Sequence, residues 1–272
     1  MKHIKLLYLF LLISWSSLPL QAADYLLQSP NGKLTVEIET KGQLSYTLKH
    51  NSQTLLDKSP IGLLLEDKIL GEDIKISRIK RNSSVKEHIV SPHYRLPSFE
   101  VTYNELNLKF KGNYGIIFRA YNEGIAYRFY TTMKGPLIIK DEMVQMNFPK
   151  DYPTFMSYST MPTGEDQYAM AFQNLYTKSS IKGVDTNNIA FLPITIDCGN
   201  ELKMTLLESD LEDYPGMFIK GDGKNTSLQG TFAHYPSEIK NFPPRAMKRI
   251  TKRTDYIART TGERNYPWRI WA

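Results

Sequence analysis

The chain has 272 residues, 41% of them hydrophobic and 23% charged, which are ordinary proportions for a globular protein. A single cysteine, Cys198, excludes an intramolecular disulfide, so stability must come from the core. The formal charge of +6 is not spread along the chain: residues 245–272 hold eight Lys or Arg against Asp255 and Glu263. With no nucleic-acid motif beside it, that stretch reads as a solvated or partner-facing strand, and no nucleic-acid partner is expected.

The first residues have the three parts of a secretory signal. Lys2, His3 and Lys5 precede an apolar run over 6–13, and small residues follow at Ala22 and Ala23. The run falls short of the ~20 residues a membrane-spanning helix needs, so no membrane span is expected. Residues 1–22 are therefore assigned to a signal peptide, and the mature protein to the periplasm or the exterior.

Short strands follow. In "KLTVEIE" (33–39), Leu34, Val36 and Ile38 alternate with polar residues, as in a half-buried strand. "QLSYTLKH" (43–50) repeats the pattern, and 73–80, 98–103 and 106–112 extend it. "YGIIFRAYNEGIAYRFYTT" (114–132) reads as a hairpin turning at Asn122-Glu123-Gly124. Further strands are expected at 190–197, 201–207, 216–220, 227–233 and 253–260. No window has convincing helical spacing, and the Gly and Pro residues fall mostly between the alternating runs. The fold class is all-β, with two large packed antiparallel sheets in one domain.

Several clusters invite a chemical reading. Glu208, Asp210, Glu212 and Asp213 lie just beyond the strand "ELKMTLL", where carboxylates can ligate a hard cation such as Ca²⁺ or simply form a solvated turn. Glu165 and Asp166, in "PTGEDQY" (162–168), are a carboxylate pair of the type used in glycoside hydrolysis, although neighbours on a loop seldom face one substrate. Of the histidines beyond the leader, His50, His88, His93 and His234, no two have metal-ligand spacing. There is no G-x-S-x-G nucleophile motif. "FMSYST" (155–160) and "NFPPR" (241–245) offer aromatic platforms for sugars, or equally core and cross-strand partners.

Three stretches, "YNEGIAYRFY" (121–130), "LLESDLEDYPGMF" (206–218) and "DYIARTTGERNYPWRI" (255–270), follow the leader in an order that resembles the start of glycoside hydrolase family 97. The resemblance covers essentially the whole mature chain. It implies a β-super-sandwich similar to galactose mutarotase over 23–262. Residues 263–272 would then be a junction toward a catalytic (β/α)8 barrel absent from this chain. It further implies that Glu208 gives one carboxylate to an active-site Ca²⁺, that the parent substrate is an α-linked oligosaccharide, glucoside or galactoside, and that this domain alone is inactive. Aromatic surface is expected to be exposed near Glu208 and over 264–272. Two alternatives stand beside this reading: a stand-alone carbohydrate-binding module, and an aldose-epimerase-like enzyme pairing His234 with Glu208 or Glu238.

Overall fold

The alternation is realised as strands throughout a computed structural model describing residues 24–91, 95–159, 166–169, 173–243 and 247–272. The leader, His93, Glu165 and Arg245 lie outside the described residues.

Strands β1 (Tyr25–Gln28), β2 (Leu34–Glu39) and β3 (Ser45–His50) form an antiparallel ladder. In β2 the side chains of Leu34, Val36 and Ile38 are buried and those between them are not. Each such burial is worth roughly 1.5–3 kcal/mol relative to exposure. β4 (Gln53–Leu65) pairs with β3, then runs on beyond it, and β5 (Ile69–Leu70) folds back on its end. A long hairpin of β6 (Ile76–Val90) and β7 (Ser98–Phe110) is followed by β8 (Tyr114–Tyr121) and β9 (Ile125–Asn147). The expected turn joins β8 to β9, with the Tyr121 N–H donating to the Gly124 carbonyl at 2.8 Å.

Two expected strands, 98–103 and 106–112, are instead the single strand β7. Leu106, Leu108 and Phe110 face the core, whereas Tyr103 is buried on the opposite face beneath Arg119, whose guanidinium lies 4.4 Å from the ring centre. A covered outer-face tyrosine upsets the apolar alternation without interrupting the strand.

The second half of the chain supplies β10 (Pro153–Tyr158), β11 (Thr177–Ser180), β12 (Ala190–Gly199), β13 (Leu202–Ser209), β14 (Met217–Gly221) and β15 (Ser227–Phe232). Strands β16 (Pro236–Phe242) and β17 (Met247–Arg253) form a separate two-stranded arm. β18 (Ala258–Asn265) and β19 (Trp268–Trp271) return to the body.

The 23-residue β9 is the spine. Along one edge it pairs with β8 and then β4; along the other it pairs with β19, β18 and β15. Pairings of β15 with β14, β14 with β12, β12 with β13 and β13 with β19 close a ring of six strands through β9. Among the described residues the pairing therefore does not divide into two large sheets: apart from the β16–β17 arm, 17 strands form one continuous array, because β4 and β9 are long enough to join successive ladders. One apolar cluster runs from β2–β4 through β7–β9 to β12–β15 and β19. Among the described residues, no helix is long and apolar enough to cross a membrane.

The aromatic residues of 264–272 are not exposed as expected. Tyr266, Trp268 and Trp271 are all buried. β19 lies between β13 and β9, and the Trp271 indole donates to the Tyr46 hydroxyl at 2.9 Å. Trp268 is covered by the guanidinium groups of Arg119 and Arg128, at 4.9 and 4.8 Å.

Candidate functional site

Glu208 lies near the end of β13, directly across the ladder from Arg269 of β19. Directly opposed residues of an antiparallel pair project to the same face, so their side chains meet. The Arg269 guanidinium makes a two-pronged contact with Glu142 of β9: Nε donates to Oε1 at 2.9 Å and Nη2 to Oε2 at 2.6 Å. Its third arm, Nη1, donates to Glu208 Oε2 at 2.5 Å. The Arg269 side chain is 1% exposed, that of Glu142 4% and that of Glu208 14%. Three strands thus converge on one buried ionic cluster, with Glu208 at its more open end.

Removing such groups from water costs several kcal/mol per ion, and only close, well-directed hydrogen bonds offset it. Arg269 has these, and it stacks on the Phe232 ring at 5.1 Å. Burial alone would lower its pKa; attraction to Glu142 and Glu208 outweighs that and raises it. Glu208 is different. Burial raises its carboxyl above the usual range and Glu142 adds to this, against the attraction of Arg269 and the Met217 N–H. That N–H reaches Glu208 Oε2 at 3.0 Å and Oε1 at 3.2 Å. Two carboxylates share one guanidinium, an excess of one negative charge. Among the described residues, the buried hydroxyl of Tyr127 has no hydrogen-bond partner.

The other acidic residues of the cluster are not gathered here. Asp210 pairs with Arg128 at 3.1 Å, and the Glu212 carbonyl receives Arg264. Among the described residues, no group of three or more His, Cys, Asp or Glu is placed to hold a metal ion. Asp166 binds Arg253 through Nε at 3.1 Å and Nη2 at 2.8 Å, which ties the β16–β17 arm to the body. The epimerase pairing is not assembled either. His234 bonds the Thr254 carbonyl, Glu238 pairs with Lys240 and Lys252, and the cleft that His234 lines receives neither glutamate.

Sequence reasoning missed Glu142 and Arg269. A signal was present: Glu142 occupies an inward position in phase with Val144 and Met146, where an apolar residue is the rule. Arg269 was counted with a basic surface, yet it is among the most deeply buried side chains of the molecule.

An all-β fold of this kind is shared by part of a glycoside hydrolase family 97 enzyme. Superposition on such an enzyme from Pseudoalteromonas sp. strain K8, in complex with acarbose, gives a TM-score of 0.71 at 17% identity, covering 91% of this chain and 35% of that one. A beta-arabinopyranosidase gives 0.75 at 17% identity, covering 92% and 40%. These likenesses show the shared fold. The chain itself belongs to the Glycosyl-hydrolase 97 N-terminal family, which it matches over residues 27–272. It is 35% identical to the retaining alpha-galactosidase of Bacteroides thetaiotaomicron over 274 residues, and spans 41% of that protein's length.

Proposed function

We propose that this chain serves as the non-catalytic N-terminal domain of an exported, calcium-dependent α-glycosidase. In this reading Glu208 presents one carboxylate to a Ca²⁺ at the active site of a catalytic barrel. The observation that carries it is the charge imbalance of the buried cluster: Glu142, Arg269 and Glu208 sum to one excess negative charge, and Glu208 is the member that reaches the opening. A cation there offsets that excess, and a hard one suits carboxylate oxygen. The chain alone supplies one ligand where Ca²⁺ takes six to eight, so the remaining oxygens come from elsewhere. Bound Ca²⁺ supplies positive charge that polarises the glycosidic centre or positions a water.

The protein's own part is positional. Arg269, anchored by both Glu142 oxygens, fixes the Glu208 carboxylate from one side, and the Met217 N–H fixes it from the other. The one continuous array, which wraps two layers around its core, is read as the super-sandwich of the galactose mutarotase type. Glucoside or galactoside oligosaccharides with α-linkages are the substrates of the assembled enzyme.

An antibody against residues 24–272 gives the size of the native polypeptide in source cells. A product much larger than this chain, whose Glu208→Gln variant loses calcium-dependent α-glycosidase activity, is the expected result. A product matching the processed chain, or a variant with undiminished calcium dependence, would overturn the proposal.

A further inference from the structure

Strands β16 and β17 pair with each other and, among the described residues, with no third strand. Their base is fixed. Arg253 reaches Asp166 with two nitrogens, at 3.1 and 2.8 Å, and bonds the His234 carbonyl. The Tyr235 N–H donates to the Tyr256 carbonyl and the Thr254 N–H to the Tyr235 carbonyl, both at 2.8 Å. The Tyr235 and Tyr256 rings stack at 6.0 Å. The arm is thus a braced projection from the body.

Beyond that base the arm is open on both faces. Ile239, Lys240, Asn241 and Phe242 are consecutive exposed residues, and neighbours along a strand point to opposite sides. Register sets Ile239 against Ile250 and Lys240 against Arg249, so each pair shares a face. One face therefore carries Ile239 and, by alternation, Lys248. The other carries Lys240, Phe242 and Arg249, whose guanidinium lies 5.7 Å from the Phe242 ring centre. Ile239 is 53% exposed and Phe242 45%. Glu238, nearer the base, pairs with Lys240 at 3.0 Å and Lys252 at 3.3 Å, but no Asp or Glu occurs from Ile239 to Lys252. Arg253, Arg264 and Arg269 of the basic C-terminal stretch turn to carboxylates or carbonyls of the body, whereas Lys248, Arg249 and Lys252 stand exposed on the arm.

We propose that the arm enters the headgroup layer of an anionic lipid bilayer. Phe242 and Ile239 then reach the acyl boundary, and Lys240, Lys248 and Arg249 meet lipid phosphates. Charge complementarity selects an anionic partner, and the apolar residue beside the cations on each face selects its physical form. A rigid protein surface covers one face of a strand pair and leaves the other in water. A fluid interface surrounds both, so both apolar side chains leave water while every cation keeps an anion within reach. The arm is separate from the ionic cluster, and this inference stands apart from the Glu208 reading. That a bilayer lies within reach follows from the export reading above.

The test is co-sedimentation with vesicles of phosphatidylethanolamine and phosphatidylglycerol in equal parts, set against vesicles of phosphatidylcholine. It uses the processed chain, free of the apolar leader, and the native polypeptide from source cells. Both should bind the anionic vesicles and be released by salt. Lys248→Gln combined with Arg249→Gln should weaken binding about tenfold or more. Phe242→Ser should weaken it about fivefold. The emission of a Phe242→Trp variant should move to the blue on anionic vesicles and not on phosphatidylcholine. All three positions are exposed, so an unchanged thermal midpoint is expected of each variant. No binding, or equal binding to phosphatidylcholine, would overturn the proposal. So would indifference to Phe242→Ser, which marks adhesion by charge alone. A native polypeptide that stays in solution while the chain binds would show the arm covered by the rest of the enzyme. A blue shift that grows with protein concentration before vesicles are added would assign the arm to a second copy. Either result overturns the proposal as well.

Discussion

Arg269 satisfies two carboxylates from the interior, and its removal should be among the most damaging single changes. Arg269→Met leaves Glu142 and Glu208 facing each other unpaired, and a loss of about 3–5 kcal/mol is expected from urea unfolding. Adding Glu142→Gln and Glu208→Gln to that variant removes both orphaned charges and should restore part of the loss. A triple variant no more stable than Arg269→Met would refute this account of the cluster. Asp222, in the turn between β14 and β15, makes a different prediction. Partial burial opposes its ionisation, but hydrogen bonds from Ser227, Asn225 and the Lys224 and Asn225 N–H groups prevail and bring its pKa down to about 2. Its folded value lies below the unfolded 3.8, so its stabilisation is complete above that pH and is lost as pH falls through about 2. Asp222→Asn should lower the thermal midpoint at neutral pH and flatten the acid limb of the stability profile. A limb of unchanged steepness would assign the acid sensitivity to other groups.

Among the elements, the β8–β9 turn shows how tightly β19 is seated. A methyl group on Gly124 would run into the Trp271 carbonyl and approach the Ala272 Cα at 3.0 Å. Gly124→Ala should therefore cost about 1–3 kcal/mol in urea unfolding; an unaltered midpoint would show that β19 shifts freely. The turn was legible because Asn122-Glu123-Gly124 interrupts two clean alternations. β2, β3 and β12–β15 were legible for the same reason: one face of each is apolar. β4 was not, because Asp57, Lys58 and Pro60 lie between its apolar residues where it passes from β3 to β9. The far half of β9 was lost for a related reason, since Lys134, Gly135 and Pro136 read as a terminator within a strand that continues. Glu208 was singled out from its motif, whereas the residues it meets come from 66 residues before it and 61 after it, a separation no local pattern encodes.

Across the whole molecule, stability should be uneven in a way the pairing dictates. Amides of β9 and its ring partners are flanked by buried side chains, while the β16–β17 arm stands apart as a two-stranded sheet with Ile239 and Phe242 exposed. Hydrogen exchange should be slowest in β9, β13 and β15 and fast throughout the arm. Equal protection of arm and ring would mean that the arm is part of the cooperative unit. The all-β class was plain from alternation alone; closure of the ring was not, since it depends on which strands meet far apart in sequence.

The spine also imposes an order on synthesis. As β9 leaves the ribosome, β4 and β8 have already emerged and can cover one edge, but β15, β18 and β19 have not yet been made. Its second edge is thus bare during translation, the condition in which nascent chains recruit one another. Lys134, Pro136 and Lys140 fall within that waiting stretch. A proline that cannot donate and two cations that repel a second copy guard the strand until its late partners arrive.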